Sequence, residues 1–426
     1  MTRWIVIVWL NLGAFLSLAQ NFDGYLVQVK NGHERQFALW KTETLLLSAT
    51  QIHSLKTEDR RIYWISTHHP ELLSAKWVQY YEPNYLVEAY QQPEDPLFEV
   101  SWGLKNLGNN EPRRRGGLFP VPGVPGSDSN IFPAWQLTKG DPQIKIAIID
   151  TGVDYTHPDL AENIWINPAE AFGVSGVDDD GNGYIDDIHG YDFANHDGDP
   201  FDDNFHGTHV AGIIGARHNQ VGLPGVMAHV SIIPIKFMDH EGRGNIAQAI
   251  EAVTYAIKVG AKIMNNSWGT LGRSQILYDL FQSTQSSQTL IVAAAGNSWL
   301  DNDSNPRYPS NFDLDNLISV AAYNAENRLT GFSCFGPKTV DLAAPGRNII
   351  STVPDGRYEV LSGTSMSAPY VSAAIGLYRS RSPHSSYQKV KSDLLETATP
   401  VDHLKGKILT EGRLNIGHFV GRADKE

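Results

Sequence analysis

From residue 144 to residue 321 the chain repeats one pattern, a short and almost wholly apolar run followed by a longer stretch. The runs are 144–149, broken only by Lys145, then 230–235, the short strand 262–265 with Ile263 and Met264 at its centre, 289–294 and 317–321, while 246–259 has the periodicity of a helix. A strand that is apolar at every position must be buried on both faces. The pattern therefore predicts an α/β fold, a mostly parallel sheet with helices on both faces. In such folds ligands bind beyond the carboxyl ends of the strands. Polar residues stand at three of those ends: Asp150 after the first run, Asn265 to Ser267 after the third, and Gly296-Asn297 after the fourth.

The 426 residues exceed what this sheet needs. Residues 20–92 read as a separate small α+β unit, with strands over 25–29, 61–65 and 77–87 and helices over 37–47 and 71–75. Polar, proline-bearing residues 91–96 form a linker, which leaves 93–426 for the larger domain. Residues 1–19 carry Arg3, an apolar run from Trp4 to Leu18 and small residues at Ser17 and Ala19, the pattern of a cleaved signal peptide. The expected product is secreted, extracellular or periplasmic, and free of the membrane after cleavage. Cys334 is the only cysteine, so no internal disulfide is expected, and the thiol reads as a small buried hydrophobe. An exposed loop over 111–130 holds Arg113, Arg114 and Arg115, a solvated run or a cleavage site for another protease.

Asp and Glu outnumber Lys and Arg 47 to 34, a formal charge of -13. Ten aspartates fall between Asp178 and Asp203, a window without Lys or Arg. This argues against nucleic acid as a partner and for bound cations.

Gly363-Thr364-Ser365-Met366-Ser367-Ala368-Pro369 reads as a helix start, with Thr364 or Ser365 as cap. A serine there sits in a positive field, yet it attacks only if a base takes its proton. His206-Gly207-Thr208-His209-Val210-Ala211-Gly212 offers an imidazole at the start of a small-residue helix. Asp150-Thr151-Gly152-Val153-Asp154 offers a carboxylate to orient it. His209 lies three residues along the same helix and reads as structural. The surroundings of Ser365 are not the G-x-S-x-G elbow of α/β-hydrolases.

These motifs, with Ala294-Ala295-Gly296-Asn297 and the order Asp, His, Ser, resemble the subtilisin-like (subtilase) serine proteases over residues 102–417. The resemblance implies that Ser365 attacks a peptide carbonyl, His206 is the base and Asp150 orients it. Asn297 and the Ser365 N–H would hold the oxyanion. It implies a peptide lying between Gly242-Arg243-Gly244 and Asn265 to Gly269. Ser267, Trp268, Gly269, Ala294, Ala295 and Gly296 would wall the pocket for the residue before the cut, with Trp268 either lining a pocket or sitting in the core. No carboxylate there demands a basic residue, so broad specificity with apolar preference is the expectation. It also implies that residues 20–92 are a propeptide, an intramolecular inhibitor cut off between about 89 and 95. Protein and peptide substrates, a zymogen and a monomer follow from the same resemblance.

For metal, Asp178, Asp180, Asn182, Tyr184 and Asp186 have the spacing of the first nine positions of an EF-hand loop. His189 stands at the twelfth position, so Asp187 or Asp192 would have to complete the shell. The resemblance adds a second calcium site from Asp159, Asn219 and the carbonyls of Arg217, Val221 and Leu223. The alternative is a catalytically silent relative that binds or regulates. A calcium-dependent adhesion module would leave Asp150, His206 and Ser365 unexplained.

Overall fold

A computed structural model describes residues 22–47, 51–55, 61–66, 73, 75–85, 92–112 and 122–423. The signal-peptide run, most of the helix expected over 71–75 and the arginines at 113–115 lie outside them. The described residues form two compact units that divide after Gln91.

In the first unit, β1 (Phe22–Val29), α1 (Glu34–Leu47), β2 (Ile52–Ser54), β3 (Ile62–Ile65) and β4 (Val78–Tyr85) build an antiparallel sheet ordered β2-β3-β1-β4. Alternate β1 residues Tyr25, Val27 and Val29 are buried with Phe37 of α1, Ile65 and Trp77. That is the period-2 pattern of a sheet with one face covered. The Phe37 ring lies 4.2 Å from that of Tyr63 and 5.1 Å from that of Trp77.

The second unit runs α2 (Phe132–Leu137), β5 (Gly140–Asp150), α3 (Pro168–Ala171), β6 (Tyr191–Asp192), α4 (His206–Gly215), β7 (His229–Lys236), α5 (Ile246–Lys258), β8 (Ile263–Asn266) and α6 (Gln275–Ser283). It continues with β9 (Leu290–Ala294), β10 (Leu317–Tyr323), β11 (Leu342–Pro345), β12 (Ile349–Val353), β13 (Arg357–Leu361) and α7 (Thr364–Arg381). It closes with α8 (Tyr387–Glu396), β14 (Thr399–Pro400), β15 (Gly412–Arg413) and α9 (Ile416–Val420). Nine strands form one sheet, ordered β14-β15-β11-β10-β9-β8-β5-β7-β6. All its pairings are parallel except β14 with β15.

The continuous apolar runs are explained by what covers each face. Ile146 and Ile148 of β5 pack with Val210 and Ile214 of α4 and Val371 and Ile375 of α7. Their neighbours Ala147 and Ile149 pack on the other side with Ala252, Val253 and Ala256 of α5 and Leu277 and Phe281 of α6. Both faces are dry, as the sequence requires. β5 begins earlier than its apolar run because its first residues, such as Asp141 and Pro142, protrude where burial is incomplete. The α5 start is fixed by a reciprocal capping box of Asn245 and Gln248, a contact worth about 1 kcal/mol. The β12–β13 hairpin, outside the main sheet, is not visible in the sequence pattern.

Candidate active site and cation loops

Asp150 ends β5, an interior strand with β8 on one side and β7 on the other, and is wholly buried. Its Oδ1 accepts from the Thr151 N–H at 2.7 Å and faces His206 Nδ1 at 2.7 Å. His206 opens α4, and its ring is one-quarter exposed. Gly207 is obligatory there, since a side-chain carbon would collide with Gly152 O and crowd Asp150 Cβ. Burial favours the neutral imidazole, but the adjoining Asp150 carboxylate outweighs it and raises the His206 pKa above its ordinary 6.5. His209 is fully buried, with Nε2 at 3.1 Å from both Ile349 O and Glu359 O. Burial pushes its pKa down to about 3, so it is a neutral donor that ties α4 to the hairpin.

Two residues that the sequence did not single out hold these loops. Buried Asp202 accepts from Thr151 Oγ1 at 2.9 Å, Thr208 Oγ1 at 2.6 Å, Thr208 N at 2.9 Å and Asn204 N at 3.0 Å. Buried Lys236 donates to Thr151 O at 2.9 Å, Met238 O at 2.9 Å and Asp203 Oδ1 at 2.6 Å. Both stood in the sequence as ordinary charges, and only the packing of three loops gives them partners.

Ser365 is the second residue of α7, and the cap is the backbone of Gly363 rather than a Thr or Ser side chain. Thr364 Oγ1 instead donates to Asn297 Oδ1 at 3.0 Å and accepts from Gly296 N at 3.1 Å. Thr364 N also donates to Asn297 Oδ1, at 2.9 Å. With its oxygen held, the exposed Asn297 turns its amide nitrogen to the free side, 3.3 Å from where a Gly363 side chain would begin. Pro369 has no N–H to give the carbonyl four residues back. That carbonyl, Ser365 O, accepts from Ser267 Oγ at 2.9 Å instead. The Ser365 hydroxyl donates in turn to Ser267 O at 2.9 Å, not to His206. The structure thus gathers Asp150 with His206 and Ser365 with Ser267, ties Asn297 to Thr364, and packs α4 against α7.

The expected cleft walls are less uniform. Ser267 and Gly269 follow the end of β8, and Trp268 is half-buried with its ring 5.1 Å from Phe237, on the core side. Gly242, Arg243 and Gly244 lie in the β7–α5 loop, closed by Asp239 N to Arg243 O at 2.9 Å. The Arg243 side chain is 79% exposed and pairs with Glu241. Ala294 and Ala295 are core residues at the end of β9, so only Gly296 and the backbone are left to line a cleft.

In the acidic loop, carboxylate oxygens of Asp178, Asp180 and Glu170 all lie within 4.8 Å of one another. Glu170, buried in α3, was not foreseen. Its Oε1 accepts from Asp179 N at 2.7 Å, and its Oε2 from Asp186 N at 3.0 Å. Asp186 is not part of this group; its carboxylate accepts from Gly176 N at 2.8 Å. Asn182 Oδ1 accepts from Tyr184 N at 2.8 Å. The Tyr184 ring stacks edge-on against Tyr255, 4.8 Å away. Asp187 is taken by Tyr255, Asn167 and Asn182, and Asp192 caps Ala194 and Asn195. The carboxylate that the fold brings beside Asp178 and Asp180 is therefore Glu170.

At the second loop, Asp159 is fully buried, and its Oδ2 accepts from Leu223 N and Tyr358 Oη, each at 3.1 Å. Its Oδ1 is buried and has no protein partner. Burial pushes its carboxyl up to about 6. Asn219 Oδ1 accepts from Val221 N at 2.9 Å, and Arg217 N donates to Asp159 O. Asp95, read as part of a linker, enters here: its Oδ1 accepts from Asn219 N at 3.1 Å while Oδ2 is buried without a partner. Two orphaned carboxylate oxygens beside one loop are what a hard cation needs.

A model of the subtilase family (peptidase S8) matches residues 141–414. Subtilisin-like protease 1 of Plasmodium falciparum is 36% identical over 300 residues, 66% of this chain and 44% of that protein. That of Plasmodium vivax is 35% identical over 297 residues, 66% and 47% of the two chains. The thermophilic serine proteinase of Bacillus sp. strain AK1 is 32% identical over 345 residues, 80% of this chain and 73% of that protein. The matched stretch thus spans less than half the length of the Plasmodium proteins.

Proposed function

Because the chain belongs to the subtilase family, we propose that it is a secreted serine endopeptidase made as a self-processing zymogen. The observation that carries the reading is the Asp150–His206 contact at 2.7 Å beside a helix whose second residue is Ser365. Rotation about the Cα–Cβ bond of Ser365 turns its hydroxyl from Ser267 O to His206 Nε2. The Oγ then attacks the peptide carbonyl carbon while His206 takes its proton. The oxyanion receives the Asn297 amide and the Ser365 N–H. His206 returns the proton to the leaving amine as the C–N bond breaks, and water releases the acyl group by the same steps.

Residues 1–19 act as export signal, 20–92 as inhibitory propeptide and 93–426 as the enzyme, which works as a monomer. The test is expression of the precursor and of its Ser365→Ala form. The native chain processes itself and digests casein; if both forms mature alike, or neither digests casein, the reading is wrong.

The raised His206 pKa fixes the pH dependence. Only neutral imidazole accepts the serine proton, so activity appears as pH rises through that pKa. The acid limb of kcat/KM should have its midpoint above 6.5. A midpoint at or below that value contradicts the Asp150 contact.

Calcium is the cation the donors fit: Asp178, Asp180 and Glu170 in one loop, and Asp95, Asp159 and Asn219 with the carbonyls of Arg217, Val221 and Leu223 in the other. The ion's part is structural, neutralising buried carboxylates in the folded chain only. At a calcium level 100 times Kd it adds about 2.7 kcal/mol. Chelation should then lower the thermal inactivation temperature by roughly 4 °C for each site emptied. Asp159→Asn should abolish part of that shift, and an unchanged temperature after chelation would refute the sites.

A further inference from the structure

Among the described residues Arg307 has no counter-charge, and it is set between the two walls of the proposed cleft. The segment carrying it is fastened to the first wall, since Thr270 N donates to Tyr308 O at 2.8 Å and Tyr308 N to Thr270 O at 2.9 Å. Gly269 comes so near that a side-chain carbon would sit 3.4 Å from Tyr308 O. The Arg307 side chain then runs along the second wall. Its Cγ is 3.6 Å from where a Gly296 side chain would begin, and its Nη2 donates to Ser298 Oγ at 2.9 Å, one residue beyond Asn297.

Guanidinium has five N–H donors and stays charged at any working pH. Here Nε is buried with no partner, and no carboxylate pairs with the group among the described residues. A half-buried cation left in this state favours a ligand that brings an anion. Neither Gly296 nor Gly269 places a side chain over it.

We propose that Arg307 makes the pocket for the residue before the cut select an acidic side chain, whose carboxylate accepts from the free guanidinium donors. This rests on the serine-endopeptidase reading and replaces the apolar preference expected from the sequence.

The test uses the processed native enzyme and four peptides that differ only before the cut, carrying Glu, Gln, Leu or Lys. kcat/KM for Glu should exceed that for the isosteric Gln by about tenfold, the scale of one charge-assisted hydrogen bond. Lys should be the poorest. The Glu advantage should shrink as salt rises. Arg307→Ala should erase the difference between Glu and Gln, and Arg307→Lys should keep part of it. Equal cleavage of the Glu and Gln peptides by the native enzyme overturns the proposal without any variant. So does a preference that survives in Arg307→Ala. In both cases turnover of the Leu peptide leaves the peptidase reading standing. A native enzyme that cleaves none of the four, and whose Ser365 does not react with a fluorophosphonate, overturns both.

Discussion

Replacing His206 by alanine is expected to lower kcat by about six orders of magnitude, and replacing Ser365 to do the same. Replacing both should add almost nothing further, since residues that act as one unit are not additive; the scale is that of the triad in subtilisin, a member of this family. The physical reason lies in the order of the steps. The Ser365 hydroxyl rests on Ser267 O at 2.9 Å, a carbonyl that accepts a hydrogen bond but cannot take the proton away. Without the imidazole no other group described beside the serine can, and His209, with its pKa near 3 and its Nε2 committed to Ile349 O and Glu359 O, is no substitute. Titrated enzyme, matured with an unrelated protease and assayed on a peptide amide, gives the measurement. A His206→Ala variant within a hundredfold of the native rate would show that another residue is the base.

Asn297→Ala should lower kcat by about 10²–10³, or 2.7–4 kcal/mol, with KM nearly unchanged; subtilisin itself helped set that range. The orientation of the amide is the argument. Two donors from Thr364, at 2.9 and 3.0 Å, fix which end of the side chain is oxygen. The nitrogen is thereby left for charge that develops only in the transition state, which is why binding should not suffer. A variant that raises KM while keeping kcat would assign Asn297 to substrate binding instead.

What the sequence made legible was whatever is written locally. The apolar runs lie within β5, β7 and β10 and within a residue of β8 and β9 because burial on both faces leaves few polar positions. Helix α5 was readable from its periodicity. Asp150, His206, Asn297 and Ser365 stood out because glycines and small residues crowd around them for steric reasons that Gly207 illustrates. What stayed hidden depends on distant segments meeting. Glu170 precedes the acidic window and joins Asp178 only through the α3 turn. Asp95 looked like linker until its carboxylate met Asn219. Arg307 carries no mark in the sequence, because its neighbours at Gly296 and Thr270 come from two other strands' ends. The β12–β13 hairpin carries mixed residues such as Arg357 and Glu359 on a half-exposed surface, which gives no continuous apolar run.

The pairing of β5 with strands on both sides has a consequence for how the molecule comes into being. Asp150 and Ser365 are 215 residues apart, and each parallel pairing of β5 closes a long loop before it gains contacts. Closing a loop of that length costs roughly 5 kcal/mol of chain entropy plus a constant. Native contacts of such high sequence separation make folding slow. The reactive geometry therefore cannot exist in a partly made chain: it arises only when nearly the whole sheet and the helix behind it have assembled. A nascent polypeptide of this kind is harmless to its neighbours until its own topology is complete.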